Sequence, residues 1–120
     1  MAQTLEQKRA QHAWQKAGEG VAKFNEAYVN DAKGLSALIM NSGLMQVMAF
    51  LEGKDGRHAF LGGHLRDWLH AQCGTPIDFT EFMEHLQQAK PQDYRSVHAE
   101  AMAWLRWLRQ MAPAVEKGGA

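Results

Sequence analysis

The chain has 120 residues, 46% of them hydrophobic and 22% charged, which suits one folded domain with a single core and excludes a disordered segment. Thirteen Lys and Arg balance thirteen Asp and Glu, so no overall basic charge announces a nucleic-acid binder, although a local basic strip is compatible with a balanced total. Cys73 is the single cysteine, which excludes an internal disulfide. The N-terminus is too polar for a signal peptide, and no apolar run reaches transmembrane length, so the cytoplasm and no membrane partner are expected.

Helical periodicity runs through the whole chain, and no stretch alternates as a strand would. Thr4 followed by Gln7 reads as a capping box. From there Ala10, Ala13, Trp14, Ala17, Val21, Phe24 and Tyr28 keep one face of a helix, within about 100° of arc. That phase predicts one helix to about Lys33, stopped at Gly34. A break at Gly18 to Gly20 is the alternative, because two glycines flanking a glutamate also signal a loop. Ser36 is placed to cap a short helix to Asn41. Asn41-Ser42-Gly43 then forms a turn before a helix over 44–52, in which Leu44, Met45, Val47, Met48, Ala49, Phe50 and Leu51 go most of the way round, as in a helix buried on nearly all sides.

Lys54 to Arg57 reads as a turn, and the next helix runs from about His58 to Gln72, with Gly74 and Pro76 ending it. Asp78 with Glu81 opens a short helix, and Pro91 suits the first turn of a last helix that is expected to reach Ala112 before Pro113. Residues 114–120 read as a frayed tail. The fold class is therefore all-α: a single domain over residues 1–120, with five to six helices around the central helix 44–52.

Catalytic and metal-binding patterns are not found. The six histidines include no i, i+4 pair with an acidic residue, there is no cysteine pair, and no glycine-rich phosphate loop occurs. Cys73 lies at the C-terminal end of a helix, where the dipole disfavours a thiolate. No cofactor, metal or enzymatic activity is expected. Trp14, Trp68 and Trp104 fall on apolar faces, whereas Trp107 lies off the core stripe and suits a partner contact. On the last helix Arg106 and Arg109 lie within about 40° of Arg95, nearly opposite the core face and with no acidic residue between them. On the first helix Lys8, Arg9, His12, Lys16 and Lys23 fall within about 100° of arc, diluted at the far end by Glu19 and Glu26. These strips are either ordinary solvated faces or surfaces that neutralise a phosphate backbone without reading bases.

Three stretches carry a family resemblance. They are Gln7-Lys8-Arg9-Ala10 with Trp14; Tyr28-Val29 to Leu35, then Leu38-Ile39-Met40-Asn41-Ser42-Gly43-Leu44 and Ala49-Phe50-Leu51; and Tyr94-Arg95, Ala99-Glu100-Ala101 and Ala103-Trp104-Leu105-Arg106-Trp107-Leu108-Arg109. In order and spacing the chain resembles the small all-helical subunit of the Cmr complex, the type III-B CRISPR effector of antiviral defence. Ser36 departs from the pattern, which commonly has proline there; serine can cap the same helix start. The resemblance implies a non-catalytic RNA-binding subunit that stacks in a filament on copies of itself, beside backbone subunits and a large polymerase-like subunit, along guide and target RNA. Lys8, Arg9, Lys16, Lys23, Arg95, Arg106 and Arg109 are the residues expected to meet the RNA backbone. A helical protein-protein adaptor without RNA contact is the alternative, and an unrecognised metal-dependent hydrolase using the histidines is a third reading.

Overall fold

The computed structural model describes residues 2–119 and consists of six helices, with no strand among the described residues. They are α1 (Leu5–Phe24), α2 (Glu26–Ser42), α3 (Leu44–Lys54), α4 (Gly56–Cys73), α5 (Phe79–Gln88) and α6 (Pro91–Gly119). Thr4 and Gln7 form the reciprocal capping box: the Gln7 N–H donates to Thr4 Oγ1 at 3.1 Å, and the Thr4 N–H donates to Gln7 Oε1 at 2.8 Å. Asp55 and Asp78 cap α4 and α5, accepting from the His58 and Glu81 N–H groups. Gly74 ends α4 in the left-handed conformation at φ 75°.

The first helix divides neither at Gly18–Gly20 nor at Gly34. It stops at Asn25, whose φ of 54° turns the chain so that α2 folds back along α1. The reversal sets the buried Tyr28 ring directly over Gly20, so this glycine is kept for close approach rather than for a loop. Helix α2 then runs through Gly34 and Ser36 as one element, because Tyr28, Val29, Ala32, Leu35 and Ile39 bury one continuous face. That burial outweighs the roughly 1 kcal/mol that a glycine costs in a helix interior.

Gly43, at φ 85°, separates α2 from α3 as the Asn-Ser-Gly turn requires. Helix α3 is not enclosed on nearly all sides. It buries Leu44, Val47, Met48 and Leu51, an i, i+3, i+4, i+7 stripe, and leaves Ala49 and Phe50 exposed. The axis of the bundle is α6, which packs most extensively against α1 and then α2, while α3 and α4 pack on each other. Val97, Ala101, Trp104, Leu105, Leu108 and Ala112 line its inner face. Helix α6 also passes Pro113 and continues to Gly119, so residues 114–119 are helical rather than frayed; Ala120 lies outside the described residues. Pro113 has no N–H to offer the preceding turn, but Met111, Ala112 and Val115 pack on the core around it and hold the helix on.

Candidate nucleic-acid interface

Arg95, Arg106 and Arg109 are all exposed on α6, and none forms an ion pair among the described residues. At 1.5 Å per residue they span about 21 Å along the helix. The strip on α1 is arranged differently. Lys8 is exposed, and Lys23 lies over the Phe60 ring at 4.9 Å from its centroid. Arg9 is held inside the bundle: its Nε and a terminal nitrogen donate to the two oxygens of buried Glu100 at 2.7 and 2.8 Å, and Trp68 Nε1–H donates to the same carboxylate at 3.0 Å. Lys16 lies 3.3 Å from Glu19 and 3.8 Å from Asp67. Of the first-helix cations, only Lys8 and Lys23 are clear of acidic partners among the described residues.

His12, grouped by the helical wheel with those cations, is instead half-buried. Trp104 Nε1–H donates to His12 Nδ1 at 2.9 Å, which leaves the imidazole proton on Nε2, donating to Asp67 at 2.7 Å. The same construction recurs one turn on. His64 Nε2–H donates to Glu19 at 3.2 Å, so its Nδ1 accepts from the Tyr28 hydroxyl at 2.7 Å. Lys16 joins the two carboxylates. The result is a continuous polar seam, Trp104–His12–Asp67–Lys16–Glu19–His64–Tyr28, stitching α1 to α2, α4 and α6.

Burial lowers the pKa of His12 and pushes that of His64 down to about 4, because neither imidazolium would be solvated. Burial likewise raises the Tyr28 hydroxyl well above its usual range. The seam holds protons in place; a hydroxyl with a raised pKa is the opposite of an activated nucleophile. Burial also raises the Cys73 thiol, with the Glu100 charge acting in the same direction. No group of three or more His, Cys, Asp or Glu among the described residues could hold a metal ion. The histidine contacts of the seam join residues 36 to 92 positions apart, so only the polar types at the core-facing edge of the wheels hint at them in the sequence.

Trp68 and Trp104 are buried as expected, but Trp14 is 51% exposed because no helix covers that edge of α1. Trp107 is half-buried, lining a groove of about 350 Å³ between α1 and α6 together with Glu6, Arg9, Ala103, Arg106 and Gln110. Exposed Leu38 and Phe50 line a second, apolar groove where α2 meets α3, with Ser42, Gln46 and Val47; Met40 is exposed on another face of α2.

Residues 5–115 match the family model described as CRISPR-associated protein (Cas_Cmr5). The chain belongs to this family. Among solved structures, it is similar to the X-ray crystal structure of a CRISPR-associated Cmr5 family protein from Thermus thermophilus. The two are 28% identical, with a TM-score of 0.77, and 93% of this chain and 97% of that one are covered. No curated protein matches the chain. As a Cmr5 family member it is a small Cmr-type CRISPR subunit, as the three motif stretches imply. Those stretches have structural places: Asn41-Ser42-Gly43 is the α2–α3 joint, and Glu100, Ala101 and Trp104 form the α6 face that receives α1. None of its described helices is long and apolar enough to cross a membrane.

Proposed function

We propose that the chain is a non-catalytic structural subunit of a cytoplasmic type III-B CRISPR ribonucleoprotein in antiviral defence, stacking in a filament and contacting the backbone of guide and target RNA. The observation that carries this reading is the α6 strip: three exposed arginines on one helix face, none engaged by an acidic side chain among the described residues. Separated guanidinium groups neutralise phosphates without the fixed geometry that base reading needs. Lys8 and Lys23 extend the set, while Arg9 and Lys16 act mainly inside the bundle. The apolar groove of Leu38 and Phe50 supports contact with protein neighbours, whether copies of this chain, backbone subunits or the large polymerase-like subunit.

Changing Arg95, Arg106 and Arg109 to Ala leaves the fold intact, since all three point outward. In the assembled complex, RNA binding weakens alike for every guide and target sequence. The log-log salt slope falls by about 2 units, at about 0.7 per lost contact. Unchanged affinity and slope in a normally assembled complex would overturn the RNA assignment. The Leu38–Phe50 patch would then favour the second reading, a helical adaptor that meets only protein.

A further inference from the structure

The groove between α1 and α6 shares Arg106 with the arginine strip. On its α6 side, Ala103, Arg106, Trp107 and Gln110 lie at i, i+3, i+4 and i+7, one continuous helix face; Glu6 and Arg9 form the α1 side. Its volume of about 350 Å³ falls in the range of small-ligand sites, about 300–1,000 Å³. Ala103 leaves room between the helices, and the half-buried Trp107 presents an aromatic wall. Arg9 is anchored to Glu100, so it contributes a fixed cationic wall rather than a mobile side chain. Glu6 and Gln110 supply hydrogen-bonding groups at the rim, a carboxylate that accepts and an amide that does both.

A strand laid along the exposed arginines passes this groove. Its phosphates belong outside, on Arg106 and Arg109, because Glu6 repels an anion entering from the α1 side. The groove suits the opposite kind of group, a flat apolar-faced ring with a polar edge. We infer that the groove receives one unstacked base of single-stranded RNA, its ring against Trp107 and its flanking phosphate on Arg106. This rests on the RNA reading above and deepens it. Stacking on an aromatic side chain tolerates any base, so the site adds affinity and register along the strand without dictating sequence.

The test uses the complex assembled with the full chain, guide and target RNA. Ultraviolet irradiation followed by mass spectrometry yields a nucleotide adduct on the peptide containing Trp107. Trp107→Ala weakens target binding about fivefold or more, the lower end of a lost stacking contact, while Trp107→Phe stays near wild type. Because Trp107 also packs on the core, Ala103→Leu provides an independent arm: it fills the groove, keeps the indole, and gives the same loss of binding and adduct. Arg95→Ala with Arg109→Ala, both outside the groove, separates the two readings. If that pair lowers the salt slope while Trp107→Ala and Ala103→Leu bind normally without an adduct, the strip stands and the groove inference falls. If neither set changes binding, the RNA reading itself falls.

Discussion

At Gly20 the Tyr28 ring occupies the space a β-carbon would need, whereas at Gly18 no atom beyond the adjoining residues and the local helix backbone comes within 4 Å of that position. Alanine is favoured over glycine in a helix interior by about 1 kcal/mol, so the two sites give substitutions of opposite sign. Gly18→Ala is expected to stabilise the chain by up to about 1 kcal/mol. Gly20→Ala is expected to destabilise it by about 1–3 kcal/mol, because the ring must shift in a packed core. Urea unfolding of both variants checks this, and a gain at Gly20 would mean that Tyr28 moves aside freely. In the sequence these glycines look alike, flanking Glu19 as a pair. Their difference arises from a residue eight positions on that returns only after the chain reverses. The arginines behave similarly: the wheel locates Arg95, Arg106 and Arg109 on an outer face, but nothing local says that Arg9 has a partner 91 residues away.

Helix ends that depend on local chemistry are legible in the sequence: the Thr4–Gln7 box, the Asp78 cap, Gly43, Gly74 and Pro91 all act where the pattern puts them. Ends inferred from a single unfavourable residue are not, since Gly34 and Pro113 sit inside helices whose apolar faces keep packing. Asn25 shows the converse. Among the described residues it makes the one positive-φ joint without glycine, and its side chain forms no capping hydrogen bond to α2. Asn25→Gly is therefore expected to be neutral or slightly stabilising. Asn25→Val, placing a β-branched residue at φ 54°, is expected to lose about 1–3 kcal/mol. Comparable melting temperatures for the two variants would show that the joint relaxes without cost. The apolar run of α3 misleads for a related reason. Composition shows that a helix is greasy all round, but not that Phe50 stays 47% exposed because no other helix fully covers that side of α3 among the described residues.

At the scale of the whole molecule, the polar seam makes stability depend on pH. His64 has its pKa lowered from 6.5 to about 4, and that of His12 is lowered too, so the folded state binds fewer protons than the unfolded chain in this window. Unfolding is then favoured as pH falls: the contribution is fully present above pH 6.5 and is lost as pH drops towards 4. For His64 alone the difference corresponds to roughly 3 kcal/mol. Urea midpoints at pH 7.5 and pH 4.5 should differ clearly, and equal midpoints would show that neither imidazole is kept neutral by the fold. Protonation at Nδ1 of His12 would aim an N–H at the Trp104 indole N–H, which can only donate, so acid loosens the seam at that end. Among the described residues, Arg95, Arg106 and Arg109 share no hydrogen bond with the seam, so replacing them leaves its contacts in place.

The packing of α1 and α2 chiefly against α6 also bears on how the protein is made. Their shared partner follows them in the chain, so α1 and α2 are synthesised with part of their apolar faces uncovered and wait for some fifty more residues before α6 begins to close them. Folding during synthesis is confined to transient local helices. A chain cut before α6 would leave the apolar faces of α1 and α2 that α6 covers open to water, so the six-helix core cannot be divided at that point into a smaller folded unit.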